Sequence, residues 1–308
     1  MMKIGLMVPL PGDLPAPTTV VAQIVRAETL GFQSVWAPNV RGGDALSVLA
    51  VAGTQTKRIE LGTFVVPTYT RHPAALAQQA LTTAALTGNR LTLGIGLSHR
   101  VTMEGMLGFD WSRPIRHLRE YLACLLPLMR GEEVEFAGEE FQIHGYSLAI
   151  PGAEAPPVLV AALGPQMLRL AGRQTAGTAI WMGGPRYLSE HAVPTLTTAA
   201  SEAGRPAPRI LVGLPVCVTA RTEEARQLAN QNFARYGQLP SYRAILDKEG
   251  AEGPADVALI GSAAEVRAGL QSLADAGATD LAAAVFVLPG EDPTPTYELL
   301  GEYARASK

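Results

Sequence analysis

A (β/α)8 TIM barrel with insertions, an α/β fold, is what this sequence predicts, and three observations carry the prediction. Short apolar runs alternate with stretches whose apolar residues recur at helical spacing, the pattern of repeated βα units around a parallel sheet. About eight such runs occur, the number that closes a barrel. With 308 residues, 47% hydrophobic and 17% charged, the chain can bury one large core, so a single domain over 1–308 is expected.

Taken in order, the strands are expected at Lys3–Pro9, Ser34–Ala37, Ile59–Val66, Leu91–Gly96, Pro157–Ala162, Thr178–Met182, Arg209–Thr219 and Leu281–Leu288. The helices between them are punctuated as helices should be. Pro73 and Pro165 stand where a first helical residue belongs, and Gly31 and Gly277 fall just past helix ends. Within 73–86, Leu76, Ala77, Ala80, Leu81 and Ala84 form one apolar face, as a helix lying on a barrel requires. Three stretches, near 97–112, 131–155 and 236–261, exceed a minimal barrel. Glu133–Ile143 alternates around Ala137-Gly138 as a β-hairpin would, whereas Tyr236–Gly261 is long, polar and poorly periodic. No internal repeat, low-complexity tract or linker marks a second domain.

Composition excludes several classes. The net charge of −3 comes without a lysine- or arginine-rich run, so the electrostatic footprint of nucleic-acid binding is missing. Cys124 and Cys217 are far apart on segments that read as helix and strand; they suggest no disulfide framework and no metal site, and read as small buried hydrophobes. The opening Met-Met-Lys-Ile-Gly-Leu-Met-Val-Pro-Leu has too short an apolar run for a signal peptide, and no segment approaches the roughly 20 apolar residues of a membrane span. A cytoplasmic protein with no membrane partner is expected.

Ligands of parallel α/β proteins bind beyond the carboxyl ends of the strands, and polar residues gather at four such ends here. In Gly31-Phe-Gln-Ser-Val-Trp-Ala-Pro-Asn39 the strand delivers Asn39, which either offers donors and an acceptor to a heterocycle edge or turns the chain after Pro38; Trp36 reads as core. At Thr63-Phe64-Val65-Val66-Pro67 a strand runs into a proline loop and can expose backbone groups to a planar ligand if a bulge frees them, while His72 in the following Arg71-His72-Pro73 reads as a cap. In Leu93-Gly-Ile-Gly-Leu-Ser-His-Arg100 the dinucleotide fingerprint fails for want of a third glycine and a directly following helix. Gly94 and Gly96 instead read as allowing close approach of a ring system, and His99 as a general acid or an orienting group, against the plainer reading of a structural loop histidine. In Leu159–Gly172 a strand is followed by Gly164, by Pro165 at the first helical turn, and by Gln166 and Met167, whose free amides and helix dipole suit a phosphate.

Together these places resemble the luciferase-like family of flavin and deazaflavin oxidoreductases, most closely its branch dependent on coenzyme F-420, a 5-deazaflavin. The resemblance runs through Lys3–Leu10, Gly31-Phe-x-Ser-Val-Trp, Leu61-Gly-Thr, Thr70-Arg-His-Pro, Leu93-Gly-Ile-Gly, Leu163-Gly-Pro and Ala171-Gly. It implies a TIM barrel whose third strand ends in a non-prolyl cis peptide within Thr63-Phe64-Val65, bulging behind the deazaflavin ring. Sugar-phosphate dehydrogenases of this branch carry Asp-His where this chain has Asn39-Val40, a catalytic glutamate where it has His99, and an aspartate where it has Ala176 ahead of Gly177, which disfavours glucose 6-phosphate oxidation. The Pro-Tyr-Thr-Arg-His-Pro of methylene-tetrahydromethanopterin reductases resembles Pro67-Thr-Tyr-Thr-Arg-His-Pro73.

The resemblance therefore implies hydride transfer between the deazaflavin and a small organic substrate, in the direction of a reductase. Asn39, Thr63, Phe64, Val65, Gly94, Gly96 and Ser98 are expected around the ring, and Leu163, Gly164, Pro165, Gln166 and Met167 at the phosphate. His99 is the first candidate for the proton and Tyr69 the second, and Trp181 is expected either to wall the substrate pocket or to sit in the core. An FMN-dependent monooxygenase and a catalytically idle flavin-binding member are the alternatives, and a homodimer is expected from the relatives.

Overall fold

In the computed structural model, residues 2–8, 15–40 and 42–306 are described. The strands are β1 (Lys3–Met7), β2 (Ser34–Ala37), β3 (Glu60–Thr63), β4 (Val66–Pro67), β5 (Leu91–Gly96), β6 (Val134–Ala137), β7 (Gln142–Tyr146), β8 (Val158–Ala161), β9 (Gly177–Trp181), β10 (Arg209–Val218), β11 (Leu259–Gly261) and β12 (Asp280–Val285). Eight of them, in the order β1, β2, β3, β5, β8, β9, β10, β12 and back to β1, pair in parallel and close a barrel. The expected strands agree to within a few residues, except where noted below; Pro9 and Leu10, at the end of the first, lie outside the described residues.

Closure explains the near-continuous burial of the strands. β5 and β12 are buried along their whole length, because a barrel strand faces side chains inside and helices outside. The helix Pro73–Leu86 buries the face expected of it, and His72 caps its start, Nδ1 accepting from the Ala74 N–H at 3.3 Å. Trp36 is fully buried, its indole N–H donating to Ser34 Oγ at 2.9 Å, and Cys124 and Cys217 are buried and unpaired. At the amino-terminal floor Arg209 joins Glu60 (2.6 Å) on β3 to Asp280 (2.5 Å) on β12 and lies over the Trp36 ring. This charged plug ties together strands distant in sequence.

The third strand departs from the expectation of one run over Ile59–Val66. Gly62 pairs with Thr92 and Val66 with Ile95, so four steps of chain oppose three, and the extra residue is a β-bulge. The peptide bond between Phe64 and Val65 is cis, inside the segment where the resemblance placed one.

The hairpin forms as β6 and β7, anchored by the buried carboxylate of Glu120, which accepts from the N–H groups of Glu139, Glu140 and Phe141. The stretch after 236 is more ordered than its pattern suggests. It holds helices Ala234–Gln238 and Pro240–Glu249, a 3-10 turn at Pro254–Asp256, and β11, which pairs with the end of β10 beyond the point where β9 leaves it. Its helices bury few side chains, Ile245 and Leu246 in the longer one, so no strong period appears in the sequence. No described helix is long and apolar enough to cross a membrane.

Candidate active site

The carboxyl ends of the barrel strands surround a cavity of about 1010 Å³. Its described lining contains Arg71, Arg169, Arg235 and His99 and no aspartate or glutamate, so the charge it presents is positive. Arg71 is ion-paired with Asp44, which lies outside the lining. Arg169 and Arg235 have no carboxylate partner among the described residues and leave the cationic character uncompensated at the rim.

The bulge forms one wall. Phe64 and Val65 face the cavity, while Thr63 lies behind them, its hydroxyl donating to the Gly94 carbonyl (2.7 Å) and accepting from the Gly94 N–H (2.8 Å). This corrects the reading of the two glycines. A Cβ on Gly94 would stand 2.0 Å from the Thr63 carbonyl oxygen, and one on Gly96 would stand 2.8 Å from Val65 Cγ2 and 2.9 Å from Ala161 Cβ. Their missing side chains make room for the bulge, and Thr63, Gly94 and Gly96 shape the wall from behind it.

The opposite feature is the start of the helix Pro165–Gln174, ten residues long. Leu163, Gly164, Pro165, Gln166 and Met167 all line the cavity. The N–H groups of Gln166 and Met167 precede the first intrahelical bond, which Leu168 makes to Gly164, so they are free for a ligand. Open space lies in front of Gly164, and Arg169 stands on the next turn. Free amides, the helix dipole and an arginine of the same helix thus border the cavity, features that favour an anion.

Asn39 lines the cavity and serves both readings. Its Oδ1 accepts from the Ala45 N–H at 2.9 Å, which fixes the loop, and its amide N–H groups have no partner among the described residues. Ser98, held at φ +66°, and His99 follow β5 on the rim. The His99 ring lies 5.7 Å from Tyr242 and 6.4 Å from Tyr236, centroid to centroid. Burial, with Arg235 as a second cause, holds its pKa below the ordinary histidine value. Both causes disfavour the imidazolium, which suits His99 to orienting a ligand more than to supplying a proton as imidazolium.

Tyr69 does not line the cavity, which corrects its expected role as proton donor. It is sandwiched between Trp111 (5.0 Å) and His117 (3.9 Å, rings 4° from parallel), and burial raises its phenol to about 12. Trp181 is both wall and near-core: it lines the cavity at 6% exposure, meets the rings of Phe64 (6.3 Å) and Tyr236 (5.7 Å), and its buried Nε1 has no partner among the described residues.

Sequence reasoning missed Arg169, Arg235, Tyr236, Tyr242, Trp111 and Gly213. A Cβ on Gly213 would stand 2.7 Å from the Trp181 ring and 2.8 Å from Phe64, so this glycine seats both aromatic walls. The tyrosines were the available signal, two aromatic rings six residues apart in an otherwise polar insertion. Gly213, inside an apolar strand, carried none.

Residues 2–280 match the family model described as Luciferase-like monooxygenase. The chain is 30% identical over 239 residues to 5,10-methylenetetrahydromethanopterin reductase of Methanolobus tindarius, covering 77% of this chain and 72% of that one. It is 35% identical over 205 residues to an F-420-dependent glucose-6-phosphate dehydrogenase of Intrasporangium calvum, covering 61% of each. The fold matches that of an F-420-dependent secondary alcohol dehydrogenase with a TM-score of 0.81 at 19% identity, over 100% of this chain and 99% of that one.

Proposed function

The chain belongs to the luciferase-like monooxygenase family, and from that premise we propose an oxidoreductase that moves a hydride between coenzyme F-420 and a small organic substrate, working as a reductase. The observation that carries the reading is the pairing, in one cavity whose described lining holds no carboxylate, of the bulged Phe64–Val65 wall with the amide and guanidinium cradle at Gly164–Arg169. A planar ring carrying a phosphate on a flexible tail fits both features. Anions are favoured in a cavity whose described charges are all cationic.

When bound, the deazaflavin supplies the hydride chemistry itself, and the protein supplies position and polarity. Phe64 and Val65 back the ring, Asn39 and Ser98 offer hydrogen bonds along its edge, and Gly164, Gln166, Met167 and Arg169 take the phosphate. The remaining volume lies among Trp181, Tyr236, Tyr242 and His99, an aromatic surface that excludes water from the substrate. His99, its charged form disfavoured by burial, orients the substrate there. Asn39-Val40, His99 and Ala176, at positions where sugar-phosphate dehydrogenases resembling this chain carry other residues, set its substrate apart from glucose 6-phosphate. A cytoplasmic setting and a homodimer are part of the proposal, the latter checked by sedimentation.

Titration of the purified protein with oxidised F-420 and separately with FMN, followed by tryptophan quenching, tests the reading. Trp181 and Trp111 both line the cavity and report occupancy. Micromolar or tighter binding of F-420 without FMN supports it, and preference for FMN moves the chain to the monooxygenase alternative. Tight F-420 binding without turnover across reducible substrates supports the non-catalytic alternative.

A further inference from the structure

Tyr187 has no part in the reading above, yet it is fully buried and its hydroxyl donates to the carbonyl of Leu163 at 2.7 Å. That carbonyl and the Gly164 N–H belong to one planar trans peptide and point in opposite directions. Holding the oxygen on the Tyr187 side therefore aims the Gly164 N–H away from it, and Gly164 borders the cavity, with open space where a side chain would stand. Tyr187 is itself fixed. Glu249 accepts from the Tyr187 N–H at 2.6 Å and from the Arg186 N–H at 3.2 Å, and Gly184 is the neighbour that admits the carboxylate, since a Cβ there would lie 2.3 Å from Glu249 Cδ.

Glu249 ends the helix Pro240–Glu249, whose first turn carries Ser241 and Tyr242 into the cavity lining. One rigid helix thus lines the substrate side at its start and braces the anion cradle at its end. Burial keeps the Tyr187 phenol well above its ordinary value, so it stays a donor across the neutral range.

We propose that Tyr187, braced by Glu249, is a positioning residue for the coenzyme's phosphate: it fixes the Leu163–Gly164 peptide so that the cradle amides converge on the anion. The proposal rests on the deazaflavin reading of the cavity. The experiment compares the full-length chain with Tyr187→Phe, titrating each with F-420 and with the deazaflavin nucleoside that shares its ring and ribityl chain but lacks the phosphate and all beyond it. Wild type is expected to prefer F-420. Y187F is expected to lose about tenfold in F-420 affinity, the worth of one well-aimed bond to an anion, while its affinity for the nucleoside changes less than about twofold. Glu249→Gln is expected to show the same selective loss, smaller in size, and keeps the test available if Y187F folds poorly. Full retention of the phosphate preference in both variants, or equal weakening toward both ligands, overturns the role of Tyr187 alone. Equal binding of both ligands by wild type overturns the cradle and this inference with it.

Discussion

Lowering the pH from 7.5 to 5 should destabilise this protein through one histidine. His117 is 5% exposed, stacked on Tyr69, packed near Tyr121 and Phe141, and hydrogen-bonded to Thr68 Oγ1 at 3.1 Å. Burial pushes its pKa from 6.5 down to about 4, and nearby Glu120 only partly offsets this. The folded state therefore binds the proton less well than the unfolded chain. Stability is complete above pH 6.5, falls as the pH drops from there toward about 4, and falls no further through this group below that. A displacement of about 2.5 pH units corresponds to about 3 kcal/mol, of which about 2 kcal/mol is already lost at pH 5. Urea unfolding of wild type and His117→Phe across this range measures it. The variant loses the Thr68 bond at every pH, about 1 kcal/mol, but keeps an aromatic ring in the stack and does not titrate. The wild-type advantage over H117F should shrink and reverse in acid, whereas parallel profiles would refute the argument.

Three further outcomes follow from the same geometry. Arg209→Gln leaves Glu60 and the buried Asp280 carboxylate unpaired in the barrel floor, so it should cost about 3–5 kcal/mol in denaturant melts. Gly96→Ala forces Val65 and Ala161 apart, so it should cost about 1–3 kcal/mol of stability and also weaken F-420 binding, because Val65 is part of the ring-side wall. Glu120→Gln should loosen the β6–β7 hairpin by about 1–3 kcal/mol near pH 7. Burial opposes the Glu120 charge, but three backbone N–H groups hold its pKa below 4.5, so the wild-type advantage should fade as acid protonates the carboxyl. Hydrogen exchange at residues 139–141 reads this locally.

The barrel was legible because closure is a repetitive constraint. Each strand between two neighbours and two layers must be apolar, and each helix must show one apolar stripe, so Ser34–Ala37 and Leu91–Gly96 emerge with their observed ends. Legibility failed where that constraint lapses. The 234–261 segment packs only part of its surface on the barrel, and short helices with two buried side chains leave no period to find. The bulge at Phe64–Val65 was invisible to pattern for another reason: one extra residue in a buried run is apolar like its neighbours, and only pairing with β5 reveals the count.

The site divides along the same physical line. Residues that present backbone could be found, because glycine and proline announce the geometry they allow, as at Gly164-Pro165. Residues that act by shape could not be assigned, because their meaning lies in a partner from another part of the chain. The sequence marks Gly94 and Gly96 as places where a ring could approach, but what approaches closely is the chain's own third strand, 31 residues away for the Thr63–Gly94 bonds. His99 lines the cavity, but its pKa is lowered by burial and by Arg235, 136 residues later. A histidine there is a candidate acid in isolation, whereas burial and Arg235 disfavour its charged form in this cavity, which supports the proposed orienting role. Hydride transfer fits that proposed role, since the coenzyme brings the reactive group and the protein must mainly hold a substrate against it, in a cavity whose described charges are cationic.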